Sequence, residues 1–182
     1  MANDKAIMLA IKDGEIDQLA VLFEKYHVAL LHYFIRMGNS QAISEDLVQE
    51  TFLRMLKYKA SYQGDNQFSS WLYRVARNAA IDFHRKPAQK NHHESYEETE
   101  HSSSENLSDE MTRSEQHDHF KQALAKIEPA QRELIVLSRF QQLKYEEIAE
   151  LLECNLNTIK TRIRAALGNL KQQYELISGA SQ

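Results

Sequence analysis

Apolar residues recur at three- and four-residue steps through most of this chain, and no segment shows the strict alternation of a half-buried strand. Ile16, Leu19, Ala20, Phe23, Tyr26, Leu30, Tyr33 and Phe34 draw one stripe along a long helix. Ser44 stands where an N-cap belongs, with Glu45 and Asp46 in the first turn favoured by the helix dipole. In the helix that follows, Leu47, Val48, Thr51, Phe52, Met55 and Leu56 form the inward face, while Asp46, Glu50 and Arg54 repeat every four residues on another. Gly64 interrupts the pattern in SYQGDNQ, and a third helix is predicted from Gln67 to Arg85. There Phe68, Leu72, Val75, Ala76, Ala79 and Phe83 point inward, and Trp71, Arg74, Asn78, Ile81 and Arg85 share a neighbouring face with Arg77 beside them.

The period returns from Phe120 onward. Leu124, Ile127, Leu134, Ile135, Leu137 and Phe140 mark two packed helices separated at Pro129. YEEIAELL, from Tyr145 to Leu152, is followed by a short break at ECN and then by LNTIKTRIRAALGNLK. Ile159, Ile163, Ala166 and Leu170 face inward there, leaving Lys160, Thr161 and Arg164 outward near the N-terminal end, with Asn155 or Asn157 as the cap. Helix, tight break and amphipathic basic helix is how a helix-turn-helix offers a recognition helix to the major groove. An ordinary helical hairpin with a basic solvent face gives the same pattern, though it accounts for less of it.

Between the periodic parts lies PAQKNHHESYEETEHSSSENLSDEMTRSEQHDH, with almost no apolar residues. Such polarity and like charge bury too little surface to offset the entropy of ordering. The chain is therefore expected to be all-α: two small helical domains, residues 1–86 and 114–182, joined by a flexible acidic linker over 87–113.

Charge changes the picture once it is divided. The whole chain carries a net −4, but residues 1–86 carry +1, residues 87–119 carry −7 and residues 120–182 carry +2. Both flanking parts remain compatible with phosphate contact, because only the local patch meets the nucleic acid. Five glycines and two prolines permit long helices, and no run of about 18 apolar residues exists to span a membrane. Cys154 is the only cysteine, compatible with a reducing cytoplasm. His92, His93, His101, His117 and His119 lack a fixed ligand frame, so no metal or cofactor is expected and a solvated tether is the plainer reading.

Trp71 among arginines suits single-stranded nucleic acid, where stacking contributes about 1–3 kcal/mol per base and cations hold the backbone. The loop Tyr62–Ser70 offers amide and hydroxyl groups able to read a flipped base edge. These residues alone favour a buried tryptophan in a helical core flanked by solvated arginines.

Taken together, the chain resembles the extracytoplasmic-function group of the sigma-70 family, the compact initiation factors of bacterial RNA polymerase. SEDLVQETFLRMLK looks like the family's helix that docks on the clamp helices of the largest polymerase subunit. SYQGDNQFSSWLYRVARNAAIDFHRK is similar to the stretch that melts and captures the −10 element, and YEEIAELLECNLNTIKTRIRAALGNLK resembles the −35 reader. Two motifs in the family's order are far more specific than either alone, and they overturn the plainer reading of Trp71.

By position, the resemblance implies polymerase contacts at Asp46, Gln49 and Glu50, with Leu47 and Phe52 supporting the helix that displays them. It implies −10 contacts from Tyr62, Gln67, Phe68, Ser70, Trp71, Arg74, Arg77 and Asn78, with Phe68 and Trp71 framing the flipped base. It implies −35 contacts from Asn157, Thr158, Lys160, Thr161 and Arg164. The family often has Gly where Asn157 stands, and Ala165, Ala166 and Leu167 replace basic residues common there, which points to a weaker or different −35 specificity.

The implied activity is that of a dissociable, cytoplasmic promoter-specificity subunit, not an enzyme, with polymerase core, promoter DNA and an anti-sigma factor (often membrane-bound) as partners. A stand-alone helix-turn-helix regulator with an N-terminal sensor or dimerisation domain is the alternative. It leaves the acidic helix and the Trp71 segment unexplained. A metal-dependent enzyme using the histidines is a third class, without paired catalytic carboxylates or a nucleophile arrangement to support it.

Overall fold

The computed structural model describes residues 3–64, 67–85 and 107–179, and every regular element among them is helical. In the first domain α1 spans Asp4–Asp13, α2 Leu19–Arg36, α3 Gln41–Lys57 and α4 Phe68–Arg85. The periodicity did not reveal α1. Asn3 caps it by accepting from the Lys5 amide, and Gly14 ends it at φ +118°, a left-handed conformation that costs glycine little. Its Ile7, Met8 and Ile11 are buried against the rest of the domain.

The long helix expected from Ile16 is shorter. Ile16 belongs to a 3-10 turn, Ile16–Gln18, and is exposed. Leu22, Leu30, Tyr33 and Phe34 make the buried face of α2, whereas Ala20 and Phe23, expected inward, are exposed. Ser44 is not the cap of α3. That helix starts earlier at Ser40, whose Oγ accepts from the Ile43 amide; Ser44 is fully buried and its Oγ donates to the Ser40 carbonyl at 2.8 Å. Leu47, Val48, Phe52 and Met55 then meet Leu72, Ala76 and Ala79 of α4 in the core. Each fully buried leucine or methionine contributes about 1.5–3 kcal/mol by removing apolar surface from water. Phe83 departs from its expected inward position and is exposed at the end of α4.

The second domain holds α5 (Leu107–Lys126), α6 (Pro129–Ile135), a π-helical turn Val136–Phe140, α7 (Tyr145–Leu151) and α8 (Leu156–Gly179). Pro129 sits in the first turn of α6, where its missing amide proton is no loss, and the Glu128 carboxylate caps the Ala130 amide. Helix α5 begins at Leu107, inside the stretch read as linker to residue 113. Helix-favouring residues along α5, among them Glu110, Met111, Glu115, Gln116 and Lys121, outweigh the lack of an apolar period. The rest of the expected linker, from 87 to 106, with His92, His93 and His101, lies outside the described residues.

Candidate nucleic-acid and polymerase interfaces

Three surfaces hold the residues singled out above. On α3, Asp46 and Gln49 are exposed, while Leu47 and Phe52 are buried and fix the helix to the core. Glu50 is half-exposed and already engaged: Arg54 Nε donates to its Oε1 at 2.6 Å, and Arg54 Nη1 donates to Asp82 Oδ2 of α4 at 2.7 Å. These two hydrogen bonds push the Arg54 guanidinium above its ordinary pKa, so a permanent cation ties α3 to α4. The exposed Leu53 and Phe83 were not signalled by the periodicity as surface residues. Phe83 walls a groove of about 210 Å³ together with Asp46, Leu47, Glu50, Arg54 and Ala79.

The second surface is α4 with the loop before it. Tyr62, Phe68 and Ser70, expected to touch DNA, are instead buried: Tyr62 and Phe68 are 2% and 3% exposed and Ser70 fully covered. They shape the wall on which Trp71 lies. The Trp71 ring is half-buried, 5.3 Å from Tyr62 and 6.2 Å from Phe68 between centroids. Gln67 and Asn78 are exposed. Gly64, at φ +75°, turns the loop beside Lys5 and Leu9, where a Cβ would have 3.1 Å to the Lys5 side chain. A polar cavity of about 160 Å³ opens there, lined among others by Asp4, Lys5, Tyr26, Gly64, Gln67 and Phe68. Tyr26 donates to Asp4 at 2.7 Å; burial and that carboxylate raise its pKa, so the hydroxyl stays a donor. No spacing in the sequence joins Asp4 to this loop.

Arg74 and Arg77 do not face solvent freely. The second domain packs on α4, and Arg77 Nε donates to both carboxylate oxygens of Glu133, at 3.0 and 3.1 Å. Tyr33 donates to the same carboxylate at 3.1 Å, its pKa raised by burial and by Glu133. Arg74 Nη2 donates to the Glu150 carbonyl at 2.7 Å. Arg132 returns the contact from the other side, donating to the Met37 carbonyl at 3.2 Å.

The third surface is the start of α8. Asn155 caps it by accepting from the Asn157 amide at 2.8 Å. Ile159, Ile163, Ala166 and Leu170 are buried as the pattern requires, which turns Asn157, Lys160, Thr161 and Arg164 out to solvent, with Thr158 half-exposed. Helix α7 precedes it through Glu153, a non-glycine at φ +53°, so that the two helices meet in a tight turn. Arg162 is also exposed, on a different face, and reaches toward Cys154 at 3.7 Å.

Known families match this arrangement in order. Residues 22–90 match the model of sigma-70 region 2, and residues 118–170 match that of sigma-70 region 4. Among similar proteins, the RNA polymerase sigma factor YlaC of Bacillus subtilis is 29% identical over 164 residues, covering 86% of this chain and 91% of the relative. The ECF RNA polymerase sigma factor SigW of the same organism is 28% identical over 176 residues, covering 90% of this chain and 92% of that one. The chain belongs to the extracytoplasmic-function group of the sigma-70 family. Solved structures share the fold of this sigma factor. CnrH, in complex with the cytosolic domain of CnrY, superposes with a TM-score of 0.71 at 21% identity, over 95% of this chain and 97% of that one. RpoE of Bartonella quintana, in complex with the anti-sigma factor NepR, gives 0.67 at 23% identity, over 86% and 96%. No helix among the described residues is long and apolar enough to cross a membrane.

Proposed function

We propose that this sigma factor binds polymerase core through the Asp46–Gln49 side of α3, captures the melted −10 strand on α4 and reads the −35 duplex with α8. The chemistry of RNA synthesis belongs to the polymerase, and the chain acts in the cytoplasm as its promoter-specificity subunit. The observation that carries the reading is the pair of region 2 and region 4 matches in order on one chain. The region 4 part presents Asn157, Lys160, Thr161 and Arg164 along one exposed side of a capped helix.

Each surface supplies a separable term. Unstacking bases costs a few kcal/mol per step. Stacking on Trp71 offsets about 1–3 kcal/mol per base, and a base edge has hydrogen-bonding partners in Gln67, Lys5 and Asp4 around the adjacent polar cavity. The buried Tyr62 and Phe68 hold the Trp71 ring in place rather than touching DNA themselves. Arg74, Arg77 and Asn78 serve the backbone of the separated strands. By analogy with the solved relatives held by NepR and CnrY, an anti-sigma factor is the proposed regulator.

Transcription by bacterial core polymerase on fragmented genomic DNA, with RNA 5′ ends mapped, tests this directly. The chain is expected to create new initiation sites, and Asp46→Lys and Trp71→Ala are each expected to lose them. Binding of duplex DNA with neither core binding nor initiation would instead identify a stand-alone regulator.

A further inference from the structure

Helix α1 lies outside the stretch matched to sigma-70 region 2, which begins at residue 22, yet it walls the polar cavity of about 160 Å³ before α4. Two lysines fix it there. Lys12 Nζ donates to the Tyr62 carbonyl at 2.7 Å, and Lys59 Nζ donates to the Ile11 carbonyl at 3.0 Å. Gly64 lets the loop come close, since a Cβ there would lie 3.1 Å from Lys5 Cε and 3.5 Å from the Leu9 side chain. Asp4 is thereby held in the same cavity as Gln67 and the buried Phe68.

The polar atoms on the Asp4 side of this cavity are acceptors. Lys25 Nζ donates to Asp4 Oδ1 at 2.6 Å and to Oδ2 at 2.7 Å, and Tyr26 donates to Oδ2 at 2.7 Å. A carboxylate has about four acceptor positions and no proton to give, so one position is left, on Oδ1. The Tyr26 hydroxyl directs its proton to Asp4 and keeps only acceptor capacity. The Asp4 side chain is 19% exposed, so water competes weakly for the remaining position. Lys5 and Gln67, both exposed, line the same cavity and supply donors. Cytosine and adenine place an amino donor beside a ring-nitrogen acceptor on the pairing edge, whereas thymine and guanine place a carbonyl acceptor beside a ring N–H.

We propose that Asp4 makes this cavity selective: a flipped −10 base enters when it presents an exocyclic amine to Oδ1, as cytosine and adenine do, and is turned away when it presents a carbonyl. The inference rests on the −10 reading of α4 and the loop before it. The amine donates to Asp4 while Lys5 or Gln67 donates to the neighbouring ring nitrogen. A keto base brings its carbonyl oxygen against the carboxylate and leaves a partly buried acceptor unpaired, which is how a hydrogen-bonding site rejects a ligand lacking the matching group. One such contact discriminates by about tenfold or more.

The test uses the full chain with bacterial core polymerase on a promoter taken from the mapped 5′ ends. Its −10 element is built as an unpaired bubble, so that base-pair strength plays no part. Each −10 position of the captured strand carries in turn cytosine, adenine, thymine and the amine-free bases 2-pyrimidinone and purine. At one position the unsubstituted chain is expected to initiate about tenfold better on cytosine than on 2-pyrimidinone and on adenine than on purine, with thymine as poor as the amine-free bases. Asp4→Asn keeps the size and the acceptor for Tyr26 but adds an amide donor, and is expected to reduce that ratio to less than about twofold. Gln67→Ala is expected to lower initiation equally with and without the amine. A ratio near one at every position in the unsubstituted chain overturns the selection. So does a ratio that disappears in Gln67→Ala, or one that survives Asp4→Asn while initiation falls on all bases alike, which would leave Asp4 only holding α1 in place. The initiation assay on genomic DNA separates the two readings. Initiation without an amine preference overturns the selection alone, and no initiation overturns the −10 reading on which it depends.

Discussion

Two helices of this sigma factor carry the arginines and lysines proposed to meet DNA, and they stand in opposite states. On α8, Lys160 and Arg164 are exposed and make no ion pair among the described residues. On α4, Arg74 and Arg77 are held by Glu133, Glu153 and the Glu150 carbonyl, with Tyr33 sharing the Glu133 carboxylate. The same residue type on two amphipathic helices is therefore ready in one domain and occupied in the other. What separates them is the element packed on each: α8 turns its exposed basic face away from the interdomain contact, and α4 turns its face into it. Cationic composition alone reports neither.

Substitutions should pull the two helices apart. Trp71→Ala, which strips a half-buried ring from Tyr62 and Phe68, is expected to cost about 3 kcal/mol in urea unfolding as well as −10 capture, because this side of α4 is also packing. Arg164→Ala is expected to change unfolding by less than about 0.5 kcal/mol. It should weaken −35 duplex binding by the holoenzyme by about 1–3 kcal/mol, as loss of a base contact does. A large unfolding effect for Arg164→Ala would erase the contrast. Glu153→Gly relieves the left-handed backbone at φ +53°, so the second domain is expected to gain up to about 1 kcal/mol in thermal unfolding while the α4 contact loosens. Loss of stability in that variant would mean the Glu153 side chain matters more to its own turn than to Arg74.

The smallest effect expected is electrostatic. Burial raises the pKa of Glu150 above the ordinary 4.5, and Arg74 only partly counters it. A carboxyl that binds its proton more tightly when folded contributes stability that is full below about pH 4.5 and fades as pH rises through its raised value. At neutral pH Glu150→Gln is thus expected to tighten the contact slightly, by less than about 1 kcal/mol in urea unfolding. Loosening by Glu150→Gln would reverse the sign.

The periodic helices were legible in the sequence because burial there follows a local period: Leu47, Val48, Phe52 and Met55 in α3, Ile159, Ile163, Ala166 and Leu170 in α8. Local chemistry that competes with itself was not. Ser40 and Ser44 both satisfy the preference for a cap, and only the buried site of Ser44, back-bonded to the Ser40 carbonyl, decides between them. In α2 the stripe holds at Leu30, Tyr33 and Phe34 but takes Phe23 for the buried Leu22, because both residues are apolar and only tertiary packing selects between them. The start of α5 at Leu107 rests on propensity without a stripe. Within the sites, the exposure of Asp46, Gln49, Lys160 and Arg164 followed from pattern. The burial of Tyr62 and Phe68 under Trp71, the place of Asp4 beside the loop and the pairing of Arg77 with Glu133 are contacts between residues distant in the chain, which no period encodes.

Arginine accessibility in the free chain tests the contrast most directly. Phenylglyoxal modification at low salt, read residue by residue by mass spectrometry, has an internal reference in Arg85, whose side chain is 80% exposed. Arg164 is expected to react as fast as Arg85, and Arg74 and Arg77 about tenfold more slowly, with the difference lost on Glu133→Gln with Glu153→Lys. Equal rates at all four arginines in the unsubstituted chain would contradict the account.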